Sequence, residues 1–159
     1  MTGAEDKKVI CFAYGSNMDS ARLRGRVGDC TALGVATLPQ YRLRFHKRSK
    51  DETGKCNAHH TGKEGDAVIG VLFEVSEARK PDLDDAEGLD KGYREEPIQV
   101  TLADGSKQWA VAYIAEETYI DDRLKPTAEY RGYVERGAKE HGLPEDYIAQ
   151  HITPVQVVD

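Results

Sequence analysis

The apolar run Val9-Ile10-Cys11-Phe12-Ala13 stops at Tyr14-Gly15-Ser16-Asn17, and this junction constrains the fold more than any other stretch. Consecutive apolar residues of this kind read as a buried strand. A strand that gives way to Gly-Ser-Asn leaves backbone N–H groups that no ladder partner can take. Gly15 permits close backbone approach, and successive free N–H groups build a concave receptor for an anion or an oxyanion. The chain therefore starts with a buried strand whose end is a candidate binding floor.

The 159 residues suit one domain, 1–159, with a single core. Hydrophobic residues make up 39% and charged residues 31%, a balance that fits a soluble globular chain rather than a disordered one. No apolar run approaches the ~20 residues that span a bilayer, so no membrane contact is expected. Met1 to Lys8 is small, polar and charged, unlike a secretory signal. Cys11, Cys30 and Cys56 are odd in number and unrelated in spacing, which points to reduced thiols in a cytoplasmic setting. The formal charge of −6 disfavours a general nucleic-acid binder.

Further along, Asp19 to Arg26 reads as a short helix or turn. Leu33 to Leu38 and Tyr41 to Phe45 read as strands. In the second, Tyr41, Leu43 and Phe45 alternate with Arg42, Arg44 and His46, so the basic run Arg42, Arg44, His46, Lys47, Arg48 is expected on a solvated face. Lys47 to Gly65 reads as a long polar loop. Ala67 to Val75 is a second strong strand, and Gly70 inside it signals a bulge or a close neighbour. Ser76 is a candidate N-cap for a helical stretch that Pro81 interrupts and Gly88 closes. Ile98–Leu102 and Trp109–Ile114 flank a Gly-containing turn and read as a hairpin. Pro126 is expected to open a helix that runs to His141 and stops at Gly142, with Tyr130, Tyr133, Val134, Gly137, Ala138 and His141 on one face. Pro144-Glu145-Asp146 starts a last short helix. The total is roughly six or seven strands and two or three helices. Hairpin-connected strands of this kind predict an α+β fold, a mixed or antiparallel barrel-like sheet with helices outside.

Glu87 is the most informative ionisable residue. It ends Leu83-Asp84-Asp85-Ala86-Glu87-Gly88, and Leu83, Ala86 and Glu87 share a helical face. Leu83 and Ala86 are expected to point inward and carry Glu87 with them. The negative end of the helix dipole, the neighbours Asp84 and Asp85, and burial would all disfavour ionisation. A carboxylate so tuned can accept a proton and return it near neutral pH. The competing reading is a solvated acidic helix end. Tyr93, Tyr113 and Tyr130 sit at the edges of apolar segments, as core packing or as pocket phenols. Cys56, His59 and His60 form one short cluster without a second pair, which does not make a zinc site. Arg22, Arg24 and Arg26 lack interleaved aromatics, so no RNA platform is indicated. No Walker loop or dinucleotide fingerprint is present.

Four blocks in order resemble the γ-glutamylcyclotransferase superfamily, which includes γ-glutamylamine cyclotransferases and AIG2-like proteins. They are Phe12-Ala13-Tyr14-Gly15-Ser16-Asn17-Met18, Gly70-Val71-Leu72-Phe73-Glu74-Val75, Leu83-Asp84-Asp85-Ala86-Glu87-Gly88, and Tyr130 followed by Gly137-Ala138-Lys139-Glu140-His141-Gly142-Leu143-Pro144 and Tyr147. The resemblance implies a small mixed, mostly antiparallel β-barrel flanked by helices. It implies an enzyme that cyclises a γ-glutamyl compound to 5-oxoproline and releases an amine, with no metal and no cofactor. Glu87 takes the place of the catalytic glutamate, and Tyr14, Gly15, Ser16, Asn17 and Met18 that of the loop holding the γ-glutamyl group. Tyr93, Tyr113 and Tyr130 fall where the family has pocket tyrosines, and Gly54 to Ala58 resembles a stretch near the substrate. Two alternatives stay open: a γ-glutamylamine cyclotransferase acting on a γ-glutamyl-lysine-type or biosynthetic intermediate, and a non-catalytic binding module of the same fold. An acidic or a roomy apolar pocket beyond the scissile amide would favour the first. A homodimer is left open and would need an exposed apolar patch.

Overall fold

A computed structural model describes residues 7–159. The reading of Met1 to Lys8 as a non-signal stretch falls mostly outside these residues. In chain order the elements are β1 (Lys8–Ala13), α1 (Ser20–Val27), β2 (Cys30–Pro39), β3 (Tyr41–Arg48), β4 (Gly54–His60), β5 (Ala67–Ser76), α2 (Lys80–Glu87), β6 (Tyr93–Leu102), β7 (Lys107–Ala115), α3 (Ala128–Glu140) and α4 (Glu145–His151). Single 3₁₀ turns cover Ser16–Met18, Glu77–Arg79 and Glu117–Tyr119.

Five strands close a barrel in the order β1-β5-β2-β6-β7, and β3 and β4 form a separate two-stranded sheet. A closed ring with an odd number of strands cannot alternate direction throughout, so one neighbouring pair must run parallel. That pair is β1 and β7, joined at Cys11 and Val111, while the other four pairings are antiparallel. The expected small mixed, mostly antiparallel barrel with helices outside is the observed architecture. The core includes Val68, Val71, Phe73, Val75 and Val100 from the strands, all nearly inaccessible, with Val134 and Ile152 adding the helical layer. Gly70 is required by packing: a Cβ there would lie 2.4 Å from the Ala13 carbonyl oxygen and 2.9 Å from the Phe12 ring.

Several local expectations change. The polar stretch 47–65 is not one long loop, because Gly54–His60 pairs with β3 from Tyr41↔His60 to Arg48↔Gly54. No apolar alternation marks this strand; its partner specifies it. Gly54 lies so close to β3 that a Cβ would fall 2.1 Å from the Phe45 carbonyl oxygen. The β3–β4 register shifts between Arg44 and Lys47, and such an irregularity re-aims side chains. As a result Phe45, His46 and Lys47 are all buried, and only Arg42 and Arg44 follow the predicted solvated face. Pro126 precedes the helix rather than opening it: α3 begins at Ala128, capped by the Thr127 side chain, which accepts from the Tyr130 amide. Ser76 makes no side-chain cap bond, and Pro81 lies in the first turn of α2, where its missing N–H costs nothing. Gly88, at φ 76°, ends α2 in the left-handed conformation expected of a glycine stop.

Among the described residues, no helix is long and apolar enough to cross a membrane.

Candidate active site

Where β1 ends, the chain leaves the barrel at its parallel seam. Tyr14 spans that seam, its hydroxyl donating to the Tyr113 carbonyl of β7. The following 3₁₀ turn is fixed from behind by α3. A Cβ on Gly137 would sit 2.4 Å from both the Asp19 nitrogen and the Met18 carbonyl carbon, so only glycine lets the helix backbone rest on the turn. In front, a Cβ on Gly15 would approach the Cys56 Cβ to 2.9 Å and the Tyr130 hydroxyl to 3.5 Å. The Tyr14–Asn17 segment is thus held between α3 on one side and β4 on the other.

Around it lies a pocket of ≈ 530 Å³ of empty space, part of it open to solvent, with Tyr14, Gly15, Ser16, Asn17, Glu87, Tyr93, Tyr113 and Tyr130 in its wall. Met18 is not in the wall; it is fully buried, and its amide donates to the Gly15 carbonyl at 3.1 Å. The expected contribution of Met18 to a binding loop is therefore a packing one. The Asp19 amide is likewise taken, by the Ser16 carbonyl. The Ser16 and Asn17 amides remain without an acceptor among the described residues, as the break after β1 predicted.

Glu87 reaches this pocket from the last residue of α2. The inward face of that helix is Lys80, Leu83, Asp84 and Glu87, spaced i, i+3, i+4 and i+7, whereas Ala86 is exposed, contrary to expectation. The Glu87 side chain is 20% exposed. It accepts a hydrogen bond from the Asn17 amide and lies 3.5 Å from the Arg26 guanidinium, which itself donates to Asn17 Oδ1 at 2.9 Å. Burial raises the carboxyl above the usual glutamate range, and Arg26, Arg22, the Asn17 bond and Lys47 pull it back down. The expected push from Asp84 and Asp85 is not the cause. Asp84 is tied to the Lys80 ammonium and to the Tyr113 hydroxyl, and Asp85 is exposed.

The three tyrosines brace the wall. The Tyr93 hydroxyl donates to the Cys56 carbonyl, and the Cys56 amide donates to the Tyr130 hydroxyl at 3.0 Å, so two phenols hold one β4 residue. Tyr14, Tyr93 and Tyr130 are held as neutral phenols by burial. Cys56 is also protonated, its thiol pushed up to about 12 by burial, and is no nucleophile at neutral pH. His59 and His60 lie exposed at the far end of β4. His46 is buried between the Asp122 carboxylate at 2.7 Å and Asn57 at 3.0 Å, and Asn57 Oδ1 in turn accepts from the Ala115 amide at 2.8 Å.

The sequence reading missed Arg22 and Arg26 as pocket residues. Their i, i+4 spacing on α1 was the available signal, and both line the basin into which the pocket opens. Lys47 and Lys55 line the same basin: the resemblance of Gly54 to Ala58 had pointed to the neighbourhood of Lys55, whereas Lys47, expected on a solvated face, is put there by the register of β3 against β4.

A sequence model of the AIG2-like family matches residues 67–150, the span from β5 through Glu87 to α4. The chain belongs to the AIG2-like family. Among relatives of this family member, human Gamma-glutamylcyclotransferase is 28% identical over 154 residues, covering 92% of this chain and 79% of that protein. The mouse protein of the same name is 28% identical over 153 residues, covering 91% and 78%. A solved structure named Gamma-glutamyl cyclotransferase superposes with a TM-score of 0.87 at 24% identity, over 96% of this chain and 90% of that one. An uncharacterised human protein superposes at 0.86 with 25% identity, over 98% and 91%. The fold of this chain is therefore shared almost end to end with these two solved structures.

Proposed function

We propose that this AIG2-like chain is a γ-glutamyl cyclotransferase that converts a γ-glutamyl amino acid or amide to 5-oxoproline and a free amine, with Glu87 as the acid/base. The observation that carries the reading is the position of Glu87: a largely buried carboxyl, raised by burial, bonded to Asn17 of the loop whose Ser16 and Asn17 line the same pocket.

The chemistry follows from the substrate. A γ-glutamyl amide carries its own nucleophile, the α-amino group, and folding the chain into a five-membered ring replaces an encounter by proximity. The α-ammonium first gives a proton to Glu87. The freed nitrogen attacks the γ-carbonyl carbon, a C–N bond forms, and the carbonyl oxygen becomes an oxyanion. The Ser16 and Asn17 amides are the donors available to it, and one such donor is worth about 3 kcal/mol. Glu87 returns its proton to the leaving nitrogen as the original C–N bond breaks. The second proton of the former ammonium also ends on the leaving amine, which departs as an ammonium. A carboxyl raised above the ordinary glutamate range suits both halves of this cycle near neutral pH.

Release of 5-oxoproline from γ-glutamyl-alanine, followed by mass spectrometry, tests the reading. Turnover by the natural protein and its loss in Glu87→Gln are expected. Tight binding of 5-oxoproline with no turnover of any γ-glutamyl compound would instead identify a binding module and overturn it.

A further inference from the structure

Outside Glu87 the pocket opens into a basin lined by seven basic and four acidic side chains, on a chain whose net charge is −6. Two of the seven cations are committed to carboxylates. Arg48 pairs with Glu52 at 3.4 Å and Asp121 at 3.2 Å, and Arg26 pairs with Glu87. Among the other five, Lys47 and Lys55 stand against the rings of the pocket tyrosines Tyr93 and Tyr130. The two lysines stand directly opposite each other in the β3–β4 pair, a like-charge arrangement that costs stability. Neither has a carboxylate within 4 Å among the described residues. Lys47 is only 7% exposed, and its stem lies against Gly92, where a Cβ would come within 2.6 Å of it.

Both ammonium groups are aimed by the pocket's own tyrosines. The Lys47 Nζ sits 4.6 Å from the Tyr93 ring centre and 5.7 Å from that of Tyr119, and the Lys55 Nζ sits 4.2 Å from the Tyr130 ring centre. Tyr93 and Tyr130 are also, with Ser16 and Glu87, the residues shared by the inner pocket and the basin. A cation withdrawn from water without a carboxylate partner is costly unless an anion satisfies it, and buried Lys47 and half-buried Lys55 both line this opening.

Resting on the function proposed above, we infer that Lys47 and Lys55 form a carboxylate clamp that selects γ-glutamyl substrates whose leaving amine carries a negative charge. With the cyclising glutamyl group held at Glu87, the part of the substrate beyond the scissile amide reaches outward into the basin. A leaving amino acid, and above all a dicarboxylic one, places its carboxylates between the two ammonium groups. A neutral alkylamine gains nothing there, and a diamine is repelled. The basin is neither acidic nor a roomy apolar pocket, the two properties that would have marked a γ-glutamyl-lysine-type substrate.

The test compares kcat/KM for γ-glutamyl-glutamate, γ-glutamyl-alanine, γ-glutamyl-ethylamide and γ-glutamyl-putrescine in the natural protein and in Lys47→Gln, Lys55→Gln and the double variant. The natural protein is expected to favour γ-glutamyl-glutamate over the ethylamide at least tenfold, with putrescine last and the preference shrinking in 0.5 M salt, since salt screens charge attraction. In the double variant that ratio is expected to collapse at least tenfold while Tm stays level or rises, because a repulsive cross-strand pair has been removed. An equal fall for every substrate would assign the lysines to the glutamyl carboxylate and overturn the inference. So would an unchanged ratio, or a fall in Tm with the ratio intact. Active protein with no preference among the four substrates overturns this inference alone; absence of 5-oxoproline from all four overturns the proposed function and this inference together.

Discussion

The Asn17 side chain donates to the Glu87 carboxylate across 70 residues of sequence, and its own oxygen accepts from Arg26 at 2.9 Å. The loop after the first strand and the last turn of α2 are thereby one unit. A single amide orients the carboxylate and links it to the cation that most lowers its proton affinity.

Glu87→Gln keeps the size of the side chain and its bond to Asn17 but cannot cycle a proton. General acid–base catalysis contributes about 10²–10⁴ in rate, so kcat is expected to fall by that factor with KM little changed. Steady-state assays of 5-oxoproline release check this. The same variant carries a stability signature. The Glu87 carboxyl is raised in the folded chain, so the folded state holds the proton more tightly than the unfolded one, and stability is lost as pH rises through the folded value. The Gln variant is spared that loss. Its Tm is expected to exceed that of the natural protein at pH 8, with the difference vanishing as pH falls below the ordinary glutamate range. Thermal melts across pH measure it.

Asn17→Asp would put a second carboxylate against Glu87 and remove its amide donor. Both changes favour the protonated Glu87, so the acid limb of the kcat/KM–pH profile is expected to move to higher pH. Arg26→Gln removes the largest influence holding that carboxyl down and moves the limb in the same direction. A limb that stays in place in both variants would separate Glu87 from the rate.

Gly15→Ala introduces a methyl group 2.9 Å from the Cys56 Cβ and 3.2 Å from its Sγ. Neither strand β4 nor the loop can yield freely, because Cys56 is held through its amide and carbonyl by Tyr130 and Tyr93. Overpacking of this kind costs about 1–3 kcal/mol. Displacement of the loop amides is expected to lower kcat/KM by about 10²-fold, since misplacement by ~1 Å can cost that much. A circular-dichroism melt separates the two effects.

Gly137→Ala and Gly25→Ala should have opposite signs although both lie inside helices. Alanine gains about 1 kcal/mol over glycine by helix propensity. At Gly25 nothing lies within 4 Å of the new Cβ, so Tm is expected to rise by about 2–4 °C, the shift that ~1 kcal/mol gives at this size. At Gly137 the Cβ meets the backbone of Met18 and Asp19 at 2.4 Å, and Tm and activity are both expected to fall. Differential scanning calorimetry of the two variants decides it.

Local pattern determined a good deal here. The apolar runs of β1 and β5, the β6–β7 hairpin, the glycine stop after α2 and the amphipathic face of α3 all depend on residues within one element, and each is legible from spacing. The inward turn of Glu87 was visible too, although through the face of Lys80, Leu83 and Asp84 rather than that of Ala86. What required the tertiary structure are the relations that run between elements. The β4 strand exists because β3 pairs with it, the register shift after Arg44 buries Lys47 opposite Lys55, and the ring of five strands forces the parallel seam that Tyr14 bridges. Periodicity records which side of an element avoids water. It carries no information on which distant polar group will satisfy another, because that choice is made only when the strands and helices pack.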